Sequence, residues 1–215
     1  MISVITIGSN TYNLCTMPSY PGPSEIELGM SDTVSVFTSP YTNVQQTQQW
    51  PGGDAWDATI TLPSMYISTA WPWEAFLAEL RGKANVFQLG DQRSLNPLGV
   101  ATGTPLVSTS GTNNLPMTTA LNTDGWTGST GNLLLPGDKI QVGYRLYRVC
   151  EAVTSDVDGN ATITVWPSLR ETPANDTSII LTSPVGLFRL ANNRRAIHWS
   201  PSQLTTVSFQ CTEAR

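Results

Sequence analysis

The chain has 215 residues, of which 40% are hydrophobic and 13% are charged. Its net charge is −5, its pI is near 4.7, and its eleven Lys and Arg are scattered, which excludes the basic stripe that nucleic-acid binding needs. The charged fraction is about half the usual ~25%, and Thr, Ser, Asn and Gln fill the gap, a balance that suits an assembly subunit with wide contact surfaces better than a free monomer.

Residues 2–7, ISVITI, read as an opening strand. The Pro18-Ser19-Tyr20-Pro21-Gly22-Pro23 stretch cannot be a central strand. Glu25–Leu28 and Thr33–Phe37 alternate as short strands, and Gln-rich Val44–Trp50 reads as a strand with both faces solvated or at a contact. After the Pro51-Gly52-Gly53-Asp54 turn, Trp56, Ala58, Ile60 and Leu62 alternate with polar residues, which predicts a half-buried strand and a hairpin or short crossover around the turn. Trp71–Gly82 predicts a single amphipathic helix. Trp73, Phe76, Leu77 and Leu80 form a single apolar stripe, Pro72 suits the first turn and Gly82 the left-handed position past the last. A strand over Asn85–Leu89 follows, so the helix covers a sheet.

Composition shifts after Gly90 to Gly, Thr, Ser, Asn and Pro, with a boundary near Asn96-Pro97-Leu98-Gly99. Pro105–Val107 and Leu133–Leu135 read as strands. Ile140, Val142, Tyr144 and Leu146 alternate, and a phase slip to Tyr147 and Val149 predicts a bulge near Leu146. Asp158-Gly159 ahead of alternating Ala161, Ile163 and Val165 signals a hairpin. Ile179–Leu181, Gly186–Leu190 and Leu204–Cys211 complete the strands, the last with Val207, Phe209 and Cys211 on one face. A terminal strand has to pair somewhere. Pairing it with the first sheet makes the middle segment an insertion.

Few residues offer chemistry. The single histidine, His198, has no G-x-S-x-G serine to serve and reads as packed beside Trp199. Asp156, Asp158 and Asn160 start like a calcium loop, but Gly159 is fourth instead of sixth and Pro167 stands where the twelfth-position Glu belongs. Asp54, Asp57, Glu74 and Glu79 form no recognisable catalytic pair. Cys15, Cys150 and Cys211 contain no C-x-x-C, so neither zinc nor redox pairing is expected. No cofactor is implied. Arg194-Arg195 reads as a solvated turn. MISVITIGSN lacks signal-peptide features and no apolar run approaches the ~20 residues of a membrane span, so a soluble protein made in a cytoplasm is expected. Of seven tryptophans, Trp56, Trp73 and Trp166 lie on apolar faces and read as core. Trp50, Trp71, Trp126 and Trp199 are the candidate interface residues, either for a protein partner or for stacking on sugar.

The ordered segments Gly53-Asp54-Ala55-Trp56, Ile60–Pro63, Phe76–Gly82, Val86–Gly90, Leu135–Asp138, Tyr144–Val149, Asp158–Ala161, Val165–Arg170 and Glu213-Ala214 resemble those of distal tail and minor tail proteins of long-tailed bacteriophages. The resemblance covers most of residues 50–214. It implies a mainly β fold: a tail-tube-like β-sandwich or barrel ring domain with one packed helix (about 1–95 and 185–215), and an inserted small OB-like β-barrel (about 96–184). It further implies a non-enzymatic virion protein, assembled in the host cytoplasm. As a homohexameric ring at the tail tip, it would join the tail tube to the baseplate hub or tail fibre proteins around a DNA-passing lumen. The alternatives are another baseplate or minor tail protein docking on that ring, or a carbohydrate-binding β module recognising host-surface glycan.

Overall fold

The structure is a computed structural model that describes residues 2–7, 10–109, 114–194, 196, 198–199 and 204–215, with the backbone alone at Ile2, His198 and Trp199. The chain is mainly β, with one α-helix among the described residues. In order it forms β1 (Ile2–Ile7), β2 (Asn10–Cys15), β3 (Glu25–Ser31), β4 (Val34–Thr38), β5 (Gln45–Gln49), β6 (Ala55–Thr61), β7 (Met65–Tyr66), α1 (Ile67–Glu79) and β8 (Val86–Gly90). The middle of the chain gives β9 (Gly103–Val107), β10 (Ala120–Trp126), β11 (Lys139–Val142), β12 (Arg145–Val149), β13 (Ala161–Trp166) and β14 (Ile179–Ile180). The end gives β15 (Val185–Leu190), β16 (His198–Trp199), β17 (Leu204–Thr206) and β18 (Ser208–Glu213).

Seven strands build the larger sheet in the order β1-β2-β8-β15-β18-β6-β3. β18 sits between β15 and β6, antiparallel to both, with Phe209 opposite Ile60 and Cys211 opposite both Ala58 and Leu190. Alternation therefore sends Trp56, Ala58 and Ile60 to the same side as Phe209 and Cys211, and α1 covers that side. Trp73, Phe76, Phe87 and Phe209 pack there, with the Phe76 and Phe87 rings edge to face at 5.5 Å. On the other side a smaller cluster gathers Ile5, Val86, Leu187 and Ala214.

A second sheet runs β14-β11-β12-β13-β10-β9. A bridge between Leu106 in β9 and Ser178 beside β14 brings its two ends together, so this sheet is barrel-like and nearly closed. Leu121, Trp126, Ile140, Tyr147, Ile163 and Val165 fill it. Gly159 allows a tight crossing here: its φ is +82°, and a Cβ would stand 2.3 Å from the Trp126 carbonyl oxygen. The small β16-β17-β7 sheet and the β4-β5 hairpin stand apart from both.

Several local expectations need correction. The helix begins at Ile67, not at Trp71, so Pro72 lies in the second turn. Tyr66 makes no side-chain cap bond and the first turn carries no acid, so no start signal marks it. Burial of Trp73, Phe76 and Leu77 against the sheet sustains the helix across the missing N–H. At its other end Gly82 is left-handed as expected, with φ +70°, but so is Arg81, with φ +49°. Asn85 Nδ2 donates to the Glu79 carbonyl and closes the turn. The Gln-rich strand β5 pairs with β4 and not with the strand after the Pro51 turn. The phase slip near Leu146 is a tight hairpin at Gly143-Tyr144 joining β11 to β12, not a bulge. Leu133–Leu135 supplies one bridge, Leu134 to Val153, and no strand. The closing strand breaks at Val207: β17 joins the small sheet and only β18 joins the large one. Strands β2 and β10 are additional to the expected ones and arise in largely polar stretches.

Candidate functional site

Two features stand out once the elements are placed: a buried ionic joint between the sheets, and an uncharged exposed arm. The joint begins at Asp54, which the turn before β6 points inward. Ser168 donates both its backbone N–H and its hydroxyl to the Asp54 carboxylate. Arg170 lies beside that carboxylate at 3.4 Å and grips Glu213 in β18 through Nε at 3.0 Å and Nη2 at 2.8 Å. Arg145 of β12 pairs with Glu171 and donates to the Ala214 carbonyl. The Arg215 guanidinium caps the carbonyls of Gly52, Gly53 and Asp54. Trp56 completes the joint by donating from Nε1 to the Leu146 carbonyl at 2.9 Å, with its ring edge-on to Trp166 at 4.6 Å.

Electrostatics marks this joint as structural. Burial opposes ionisation of Asp54, but the two Ser168 hydrogen bonds and the Arg170 charge outweigh it and hold the carboxyl below the ordinary range. Arg170 is likewise held protonated against burial by Glu213 and Asp54. Asp54 is therefore an occupied acceptor, not a free acid or base. A second buried pair joins Lys139 Nζ to Asp91 at 2.5 Å. There too, hydrogen bonds from Arg93 and Lys139 overcome burial and push Asp91 well below the usual range.

The other candidate groups do not converge. Asp156 spends its carboxylate on the N–H groups of Asp158 and Asn160 and on the Asn160 amide, which makes it a turn former. No group of three His, Cys, Asp or Glu that could hold a metal occurs among the described residues. The His198 side chain lies outside the described residues. A cleft of about 520 Å3 runs beside Leu77, Leu190 and Phe209, and Arg194 is its one ionisable lining residue among those described.

The four candidate interface tryptophans separate. Trp50 is 54% exposed and Trp71 60% exposed, both on the surface. Trp126 corrects the expectation. It is 5% exposed, inside the barrel-like core, with Nε1 donating to Thr123 Oγ1 at 2.8 Å. It cannot stack on a sugar from there. The Trp199 side chain lies outside the described residues. Of the core tryptophans, Trp56 and Trp73 are buried, while Trp166 is partly buried and reaches Asp32 through Nε1 at 2.9 Å.

The arm extends the expectation for Val44–Trp50: β5 is exposed throughout, and β4 joins it in an uncharged hairpin. No Asp, Glu, Lys, Arg or His occurs from Thr33 to Gly53. All of β5 and most of β4 are exposed. Val34, Val36, Phe37, Tyr41, Val44 and Trp50 all stand in solvent, Tyr41 almost fully. An isolated two-stranded hairpin is marginal in water, and an apolar one without charge is unusual for a free surface. The signal was available as a long charge-free run.

Comparison with protein-family models and with curated proteins finds no match to this chain.

Proposed function

We propose that this chain is a structural subunit of a bacteriophage tail tip, one copy of a ring joining tail tube to baseplate hub or fibre proteins. The carrying observation is the charge-free β4-β5 hairpin, which exposes apolar side chains and pairs with no other strand among the described residues. A surface of that kind suits permanent assembly. Strand placement supports the division into a ring domain and an inserted barrel. Every strand of the barrel-like sheet falls between Gly103 and Ile180, while the larger sheet draws on residues before Asp91 and after Pro184. On this reading the inserted part is OB-like and the larger sheet with α1 is tail-tube-like. Six acidic copies around a lumen would repel passing DNA, not grip it. The role is mechanical, without a catalytic step. Arg170 and Arg145 lock the barrel to the ring sheet so that load passes between them.

Size-exclusion chromatography with light scattering, followed by negative-stain imaging, tests this. The expected result is concentration-dependent assembly into closed rings with six-fold symmetry. A strict monomer at high concentration overturns it.

A further inference from the structure

Outside the joint, three cationic side chains line one cleft where the chain enters the barrel-like part. The cleft, about 330 Å3, opens between residues 91–98, which follow β8, and the β11-β12 ladder. Arg93, Lys139 and Arg148 face it. Lys139 and Arg148 stand directly opposite each other in that antiparallel pair, so their side chains share one face. Like charges so placed repel.

The carboxylates of the cleft do not balance them. Asp91 is shared by two cations: Arg93 donates to it through Nε and Nη2, each at 3.1 Å, and Lys139 through Nζ at 2.5 Å. Asp138 accepts from the backbone N–H groups of Leu98, Gly99 and Leu135. Arg148 is left over. Its one side-chain hydrogen bond among the described residues goes to the Met30 sulfur at 3.5 Å, and no carboxylate there pairs with it. Three cations against two carboxylates leave one positive charge, in a chain whose net charge is −5. That charge is also held in place. The Lys139 side chain is 7% exposed, so its ammonium stays at the cleft wall, and the ladder fixes Arg148 beside it.

We propose that this cleft binds a phosphate group, with the Arg148 guanidinium as its main contact and Lys139 and Arg93 adding charge. Donors approach from β11, from β12 and from residues 91–98, three directions that suit a tetrahedral oxyanion better than a planar carboxylate. Arg forks are the usual grip on phosphate oxygens. The cleft is roomier than a bare phosphate needs, so a phosphate ester fits it better than the free ion. The site does not depend on ring assembly.

Isothermal titration of the full chain with glycerol 3-phosphate, inorganic phosphate and acetate at fixed ionic strength tests this. Glycerol 3-phosphate should bind saturably and more tightly than acetate. Inorganic phosphate that binds as tightly as the ester supports the site and makes the free ion its occupant. Arg148→Gln should weaken binding on the order of tenfold or more, and Arg148→Lys should retain part of it. Lys83→Gln removes an exposed cation outside the cleft and should leave binding unchanged. Arg148 makes no ion pair among the described residues, so thermal unfolding of Arg148→Gln should match the unmodified protein. No saturable binding below about 10 mM, acetate binding as tightly as the phosphates, or equal losses in Arg148→Gln and Lys83→Gln overturns the site and leaves the ring reading untouched. If Arg148→Gln unfolds, hydrogen exchange on the unmodified chain decides. Slowing within residues 91–98 and 137–148 on adding glycerol 3-phosphate supports the site, and slowing elsewhere or nowhere overturns it.

Discussion

Arg170 and Glu213 face each other across the two sheets, Nη2 to Oε2 at 2.8 Å, with both side chains buried. One lies just after β13 of the barrel-like sheet and the other ends β18, so this pair clasps the inserted part to the larger sheet. Removing one partner leaves the other charge uncompensated. Arg170→Met should cost about 3–5 kcal/mol, read as a lowered urea midpoint. Arg170→Met with Glu213→Leu should recover much of that loss. If the single substitution is neutral, the clasp is not structural.

Strong acid should weaken this joint and the Asp91–Lys139 pair. Asp54 and Asp91 both titrate below the ordinary carboxylate value of 3.8 in the folded chain. A lowered folded value means the folded state favours the charged form. The stabilisation is therefore fully present above pH 3.8 and drains away as pH falls from there through the lower folded values. Unfolding free energy measured between pH 6 and pH 2 should fall across the acid end, and Asp54→Asn should flatten the slope. An unchanged slope would count against the joint as its source.

The tryptophans should split by burial. Trp126→Ala should lose about 3–5 kcal/mol by emptying the barrel-like core and removing the indole donor to Thr123 Oγ1. Trp71→Ala, on the surface of α1, should change stability by no more than ~0.5 kcal/mol. Chemical denaturation compares them directly.

Gly159→Ala should destabilise by about 1–3 kcal/mol. The position is left-handed, and the added methyl meets the backbone carbonyl of Trp126 with nothing flexible to move. Gly143→Ala, also left-handed but with open space around it, should cost less. Thermal unfolding of the two variants gives the ordering.

The three thiols should react unequally. Cys150 is exposed, whereas Cys15 and Cys211 are buried. Burial pushes the Cys211 thiol up to about 12, with Asp57 adding to the shift. A thiol reagent at neutral pH should label Cys150 quickly in the folded protein and reach the other two only in denaturant.

The legible parts of the sequence were those where one face is buried and the other wet. The alternation of Trp56, Ala58 and Ile60, and of Phe209 and Cys211, predicts both strands and their inward sides. The stripe Trp73, Phe76, Leu77 and Leu80 likewise marks the helix and the face it buries. Periodicity fails where packing, not pattern, decides. β2, NTYNLC, is mostly polar and becomes a strand because β1 and β8 flank it. β10 hides behind Asn, Thr and Asp, yet Thr123 is buried with its hydroxyl donating to the Ala161 carbonyl. Trp126 looked free because its neighbours are Gly and Thr, but the left-handed Gly125 beside it lets the chain bend and turn the indole inward. The joint was invisible for another reason. Asp54, Ser168, Arg170 and Glu213 are far apart in sequence, and no local spacing announces them.

The position of β18 sets the order in which this molecule can be completed. Four strands, β1, β2, β8 and β15, lie to one side of it, and β6 with β3 lies to the other. Until residues 208–213 have left the ribosome these groups have no strand to join them, and the aromatic floor beneath α1 lacks Phe209. Completion of that layer therefore waits on residues 208–213, more than 100 positions after β6 and β8, and such long-range closure is slow. A chain lacking Ser208–Glu213 would carry two unjoined strand groups, each with an edge that β18 covers in the complete sheet.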